Sequence, residues 1–279
     1  MCMGLGCNAA GVVGCRIIDS PRERRIAILT NSFMPCNGRF PILITMAALC
    51  CGAAESSSLA AAGIMTLLLL LGVIATLGVS KLLSLTILRG EPSSFTLELP
   101  PYRKPKIGQL IVRSVFDRTL YVLGRAAAVA APAGLVIWLL ANIRAGDMSL
   151  LSYAAAFFEP AGRLIGLDGV VICAFLLGFP ANEIVLPLIL MGYSAASGGF
   201  MALGSDAGLA EQLTANGWST LSFVNMMLLT LFHFPCSTTV LTIRRESGSL
   251  RDTLLAMTIP TVLGYGLCMI TTFIWNLLT

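Results

Sequence analysis

Seven residues with cation-binding or proton-relaying side chains stand where apolar sequence is interrupted: Cys7, Asn8, Cys36, Asn182, Glu183, His233 and Cys236. They belong to two copies of one pattern. Phe33-Met34-Pro35-Cys36-Asn37 and His233-Phe234-Pro235-Cys236-Ser237 each set an aromatic residue and Pro-Cys inside an apolar run. Each follows a Gly-rich apolar piece carrying an Asn, Gly4-Leu5-Gly6-Cys7-Asn8 and Gly178-Phe179-Pro180-Ala181-Asn182-Glu183. A proline inside a helix removes one backbone hydrogen bond and clashes with the preceding turn, so both breaks free carbonyls within a membrane-depth segment. Paired interruptions in corresponding positions of two halves point to the substrate site of a transporter.

The elements around these residues are those of an integral membrane protein. The chain has 279 residues, 56% hydrophobic and 11% charged, with a mean hydropathy of +0.86. Apolar stretches of span length lie at 26–50, 58–80, 118–141, 166–191, 219–243 and 253–278. The net charge of +4 comes from Lys and Arg clustered beside these stretches, which reads as topology and not as a nucleic-acid footprint. Nine cysteines show no CxxC and no zinc-like spacing, and Cys15, Cys50, Cys51, Cys173 and Cys268 read as packed thiols. No signal peptide is expected.

Charge parity sets the predicted topology. Residues 16–25, with Arg16, Arg22, Arg24 and Arg25, form a basic loop expected in the cytoplasm. The polar stretch 81–117, with Glu98-Leu99-Pro100-Pro101-Tyr102-Arg103, reads as a cytoplasmic connector, extended and then helical from about 107. The sequence AAAFFEPAGRLIGL reads as a short half-helix pair at the outer face. A single crossing at 166–191 would place the Lys/Arg-free loop 192–218 inside and Arg244, Arg245 and Arg251 outside, reversing the positive-inside rule twice. A re-entrant or broken hairpin turning near Gly178-Phe179-Pro180 removes the conflict, and the two halves then become inverted repeats. The expected fold is an all-α polytopic bundle of about six to eight spans and half-helices. Its parts are a first repeat at 1–80, incomplete at its N-terminus, the connector at 81–117, and a second repeat with the last span at 118–279. Nothing upstream of Gly4 matches 118–177, so the chain reads as the C-terminal part of a longer protein.

GLGCNAAGVVGCRIIDSPRERRIAILTNSFMPCNGRFPIL resembles the first Gate segment of the ferrous iron transport protein B family. ELPPYRKPK resembles that family's connector, and GFPANEIVLP and FHFPCSTTVLTIRRESGS resemble its second Gate and its Pro-Cys…Arg-Arg-Glu signature. One departure is Asn8-Ala9-Ala10, where members often have a Pro soon after Gly-Cys-Asn. The resemblance implies Fe(II) transport across the bacterial inner membrane under control of a guanine-nucleotide-binding domain. It implies as partners Fe(II), the lipid bilayer, that G domain or an upstream half, small accessory Feo proteins and a homo-oligomer, and no nucleic acid. This chain holds no GxxxxGK[ST] loop, since Gly78-Val79-Ser80-Lys81 lacks the spacing, so no nucleotide site and no cofactor are expected in it.

Fe(II) accepts thiolate, imidazole, carboxylate and amide oxygen, and a permeation site needs few protein ligands with freed carbonyls beside them. Cys36 and Cys236 are the first choices as ligands, followed by Cys7. Asn8 and Asn182 offer amide oxygens or cap the broken half-helices. Glu183, a carboxylate in an apolar run, is costly unless paired or solvated, and reads as a ligand, a proton carrier or a pathway charge. His233, the single histidine, would share a helix face with Cys236 if Pro235 permits, or serve as a hydrogen-bonded core residue. Arg39 would repel a cation and is expected to snorkel or to pair with a carboxylate. Arg244-Arg245-Glu246 and the arginines of 22–25 read as topology anchors or as the docking surface of a nucleotide-binding domain. The competing readings are an organic-solute carrier of the nucleoside type, against which the motif cysteines argue, and a non-transporting membrane component. An enzyme is not expected, because no nucleophile–base arrangement occurs.

Overall fold

The computed structural model describes residues 2–51, 57–88, 108, 121–145, 148–197 and 206–278. The N-terminal part is built from α1 (Cys2–Gly6), α2 (Asn8–Gly14), α3 (Pro21–Thr30), α4 (Phe40–Cys51) and the long α5 (Ser57–Leu85). After α6 (Tyr121–Asn142) a two-residue antiparallel ladder, Arg144–Ala145 with Met148–Ser149, leads into α7 (Leu150–Leu164) and α8 (Gly169–Leu177). Then come α9 (Val185–Ser197), α10 (Asp206–Ala215), α11 (Thr220–Leu231), α12 (Ser237–Ser247) and α13 (Leu250–Leu278).

Local chemistry sets several of these starts. Ser20 accepts from the Glu23 N–H ahead of Pro21 at the first position of α3, and the Asp168 carboxylate accepts from the Val171 N–H at 2.9 Å to begin α8. The helices expected over 26–50, 166–191 and 219–243 are each interrupted: α3 and α4 flank Pro35, α8 and α9 flank Pro180, and α11 and α12 flank Pro235. Proline cannot donate to the preceding turn, so each helix closes before it.

Three expectations are corrected. The segment AAAFFEPAGRLIGL is not a half-helix pair: it is one helix through Pro160 as far as Leu164, and the turn falls in its last residues, Ile165-Gly166-Leu167, where the axis bends by 111° into α8. The stretch 192–218 is not a plain loop: α9 continues to Ser197, and α10 buries Leu213 against the core. The first residues of the stretch 81–117 are not extended, because α5 carries Lys81 on to Leu85; the remainder, from 89 to 117, lies outside the described residues apart from 108.

α11 is buried on nearly every side, as a helix apolar all round must be, and packs against α4 and α13. Phe33, Met46, Met226 and Phe232 lie in that core, with the Phe33 and Phe232 rings edge-on at 5.9 Å. Two helices among the described residues, Ser58–Leu85 and Leu250–Leu278, are long and apolar enough to cross a membrane, and the bent α7–α8 pair makes a third if taken as one span. They stand at the rim, where Leu59 is 83% and Val262 70% exposed, as side chains facing lipid would be.

The two ends of the molecule differ in chemistry. At one end Arg16 meets Glu246 in a two-pronged ion pair at 2.7 and 2.6 Å, and Arg25 meets Asp252 at 3.0 and 2.7 Å. At the other, Asn225 donates to the Ile165 carbonyl at 2.7 Å and to Thr272 at 3.0 Å. There Trp218 donates to the Tyr193 hydroxyl at 2.6 Å, which in turn donates to Asp168. Asp252 and Thr272 lie on the same continuous α13, so the ends are about 30 Å apart, the depth of a hydrocarbon core.

Candidate functional site

Both proline breaks sit between these ends, and each is received by a glycine on a rim helix. A Cβ at Gly72 of α5 would lie 3.0 Å from the Phe33 carbonyl oxygen, and one at Gly264 of α13 would lie 2.5 Å from that of Phe232. Only glycine lets the rim helices approach so closely.

The first break unwinds through a 3₁₀ turn, Asn31–Phe33, into Met34-Pro35-Cys36. The Asn37 N–H donates to the Gly6 carbonyl at 3.1 Å, joining Pro-Cys-Asn to Gly-Cys-Asn. Asn31 donates to the Asn8 carbonyl at 2.8 Å. The buried Asn8 amide, turned with its nitrogen toward the chain, donates to the carbonyls of Gly4 at 3.1 Å and Met34 at 3.2 Å. Asn8 therefore ties the break together.

The second break is tied in the same way. The Ser237 N–H donates to the Phe179 carbonyl at 2.8 Å, and its hydroxyl donates to that of Pro180 at 3.2 Å. The residue before each Asn adopts one conformation: Cys7 has φ −150 and ψ 124, Ala181 φ −151 and ψ 124. Cys7 thus has an alanine as its counterpart.

Three of the residues singled out by the sequence meet in the buried seam. The Asn182 amide lies 3.9 Å from the Cys36 sulfur on one side and 3.3 Å from His233 Nε2 on the other. His233 Nδ1 faces only carbonyl oxygens, Thr230 at 2.9 Å and Leu229 at 3.2 Å, so Nδ1 carries the proton. The neutral ring then keeps its lone pair on Nε2, facing the amide. A half-turn of that amide gives a consistent chain in which the Cys36 thiol donates to Asn182 Oδ1 and Asn182 Nδ2 donates to Nε2. A histidine whose Nδ1–H is held by a backbone carbonyl has its ring orientation and tautomer fixed as in metal-binding histidines, with Nε2 here facing the Asn182 amide.

The other candidates stand apart from this trio. His233 and Cys236 do not share a helical face, because 232–236 is unwound, and the Cys236 sulfur instead meets the Thr239 hydroxyl at 3.3 Å. Glu183 is exposed and packs on the neighbouring loop, where a Cβ at Gly38 would lie 3.1 Å from its Cγ. Cys7 is also exposed. Among the described residues no three His, Cys, Asp or Glu side chains gather closely enough to hold a metal ion. The seam offers one thiol, one amide and one imidazole.

The expectation for Arg39 is overturned. It neither snorkels nor meets a carboxylate; it is 0% exposed. Its Nη1 donates to the carbonyls of Ser32 and Leu231, each at 3.0 Å, and its Nη2 to those of His233 at 3.0 Å and Phe234 at 3.2 Å. These are carbonyls that the breaks set free. The C-terminal end of α11 attracts a cation through its dipole, and the guanidinium fork spans acceptors from both breaks. An arginine in an apolar run is by default a functional residue, the signal by which the sequence points to Arg39. Its acceptors, being backbone, have no signature.

A cavity of about 520 Å³, whose lining includes Cys15, Glu23, Thr30, Asn31, Thr76 and Ser80, reaches the first break beside Ser32.

Composition, the long apolar rim helices and the paired helix breaks define a helical membrane protein with interrupted helices. A family model described as ferrous iron transport protein B C terminus matches residues 65–117, and one described as nucleoside recognition, the Gate model, matches 123–250. The Fe(2+) transporter FeoB of Staphylococcus aureus (strain COL) is 30% identical over 277 residues, covering 97% of this chain and 39% of the relative. Its Methanocaldococcus jannaschii namesake is 26% identical over 293 residues, covering 100% of this chain and 41% of the relative. A Porphyromonas gingivalis protein named as a fusion of Fe(2+) transport protein A and Fe(2+) transporter FeoB is 26% identical, covering 88% of this chain and 34% of the relative. The chain belongs to the ferrous iron transport protein B family, and spans about two fifths of these relatives. No solved structure matches it.

Proposed function

We propose that this chain is the permease part of a ferrous iron transporter and that Fe(II) passes along the seam between the two breaks. The observation that carries this reading is the Cys36–Asn182–His233 contact chain, formed from both breaks, with the Nε2 lone pair presented inward. A soft thiol, an amide and an imidazole suit a borderline cation, and three ligands leave it free to move on. Cys236 and Cys7 flank this step, and Glu183, exposed beside Gly38, offers a carboxylate outside the seam. In this reading the units are a first repeat at 1–80, a connector at 81–117 and a second repeat at 118–279, inverted with respect to each other. The matching backbone at Cys7 and Ala181 and the matching ties to Asn37 and Ser237 support the pairing.

The chain is multi-pass in the bacterial inner membrane, with the Arg16–Glu246 and Arg25–Asp252 end in the cytoplasm, as the positive-inside rule requires. A guanine-nucleotide-binding domain outside this stretch controls it through that basic end. The Porphyromonas relative, by its printed name a fusion with Fe(2+) transport protein A, favours small accessory Feo proteins as partners.

Anaerobic Fe(II) uptake into proteoliposomes, comparing wild type with Cys36→Ser and His233→Ala, tests the reading. Both variants are expected to lose most of the uptake while remaining in the membrane; undiminished uptake in both removes the seam as the path. The description of the Gate model as nucleoside recognition makes uridine the comparison solute, and uridine uptake without Fe(II) uptake would replace iron with an organic solute.

A further inference from the structure

We propose that the four carbonyls around Arg39 form a cation site whose resident is the Arg39 guanidinium, and that this tethered cation closes the pathway until a mobile cation displaces it. The inference rests on the transport reading above.

The cage has the chemistry of a cation filter. Its walls are the carbonyl oxygens of Ser32, Leu231, His233 and Phe234, and among the described residues no carboxylate is bonded to the guanidinium, so its hydrogen bonds go to backbone carbonyls. The guanidinium is held incompletely. Three buried side-chain polar atoms among the described residues lack a hydrogen-bond partner, and all three are here: Arg39 Nε, Ser32 Oγ and Thr230 Oγ1. A buried arginine kept only for structure would be expected to have its fifth donor satisfied, since an orphaned donor costs stability. The orphan hydroxyl of Ser32, on a residue whose carbonyl lines the cage, is an additional oxygen that a smaller cation in the cage would use.

The position fits a gate. His233 supplies one wall of the cage through its carbonyl and the inward-facing Nε2 of the seam through its ring, so cage and seam are one residue apart in space. Ser32 adjoins Thr30 and Asn31, which line the cavity on the other side. A cation in the seam and the guanidinium in the cage repel at short range, which gives the incoming ion the means to move the side chain. The equivalent position after the second Pro-Cys is Thr239, which is uncharged, so the device is built once.

Thallium(I) influx into proteoliposomes tests the proposal without requiring that iron be the cargo. Arg39→Ala is expected to raise the influx severalfold over wild type, and free guanidinium is expected to suppress that leak while leaving wild type unaffected. A folded Arg39→Ala protein as tight as wild type, or a leak indifferent to guanidinium, overturns the gate. If Arg39→Ala does not fold, Arg39→Lys keeps charge and most of the length but has three donors on one nitrogen and cannot hold all four carbonyls at once. It is expected to leak measurably, and an Arg39→Lys protein with wild-type tightness also overturns the proposal. A guanidinium-sensitive leak in a protein whose wild type takes up no Fe(II) would uphold the gate while refuting the iron reading.

Discussion

The two proline breaks share a backbone design and differ in how their loose ends are satisfied. At the first, the side chain three residues after Cys36 is Arg39, which reaches across to the carbonyls that the second break leaves at the end of α11. At the second, the side chain three residues after Cys236 is Thr239, which reaches only the Cys236 sulfur. The first break therefore serves both, and the second serves itself. Two similar backbone interruptions become one asymmetric site because a single side chain is long and charged.

The sharpest way to break this comparison is to truncate both side chains. Arg39→Ala leaves four carbonyls without their donors and is expected to cost roughly 3–5 kcal/mol, against about 1 kcal/mol for Thr239→Ala. Thermal unfolding in detergent checks the ranking, and equal losses would mean that the breaks are satisfied independently. Next come the glycines that seat each break. Gly264→Ala drives a methyl to 2.5 Å from the Phe232 carbonyl and is expected to cost about 1–3 kcal/mol, while Gly72→Ala, at 3.0 Å from that of Phe33, costs less, about 1 kcal/mol. The same melting series reads the difference, and a larger effect at Gly72 would place the tighter seat at the first break.

The smallest single effect, that of Arg16, is at the basic end. Arg25→Ala strands Asp252, whose side chain is 4% exposed, and is expected to cost roughly 1–3 kcal/mol. Arg16→Ala frees Glu246, 13% exposed and paired with an arginine that is itself 66% exposed, and is expected to cost less than Arg25→Ala. Unfolding at raised ionic strength should narrow the Arg16 difference first; salt-independent behaviour at both would show that neither pair is screened.

Much of the site was legible as residue types. Pro35, Pro180 and Pro235 mark breaks because each lies in one of the paired Pro-Cys or Gly-Asn patterns; proline alone is not the signal, since Pro132, Pro160 and Pro260 sit inside continuous helices. Cys36, Asn182 and His233 were each chosen for their own chemistry, and the fold brings them together. Other features were not legible because they depend on partners far along the chain. Cys236 shares a local pattern with Cys36 but turns to Thr239. The helix Asp206–Ala215 was read as loop because Leu213 shows its purpose only once the core it enters exists. Arg39 was misjudged because its acceptors are main-chain atoms, identical in every residue and invisible in a list of side chains.

The sequence distance between Arg39 and its acceptors has a consequence for how the protein is made. Leu231, His233 and Phe234 follow Arg39 by 192, 194 and 195 residues. At a synthesis rate of about 5–20 residues per second, Arg39, just ahead of α4, emerges roughly 10–40 s before three of the four oxygens that hold its guanidinium. A lone arginine in lipid is costly, so the Arg39 segment is expected to settle only once α11 has been made. The last steps of assembly then drive the first break to depth.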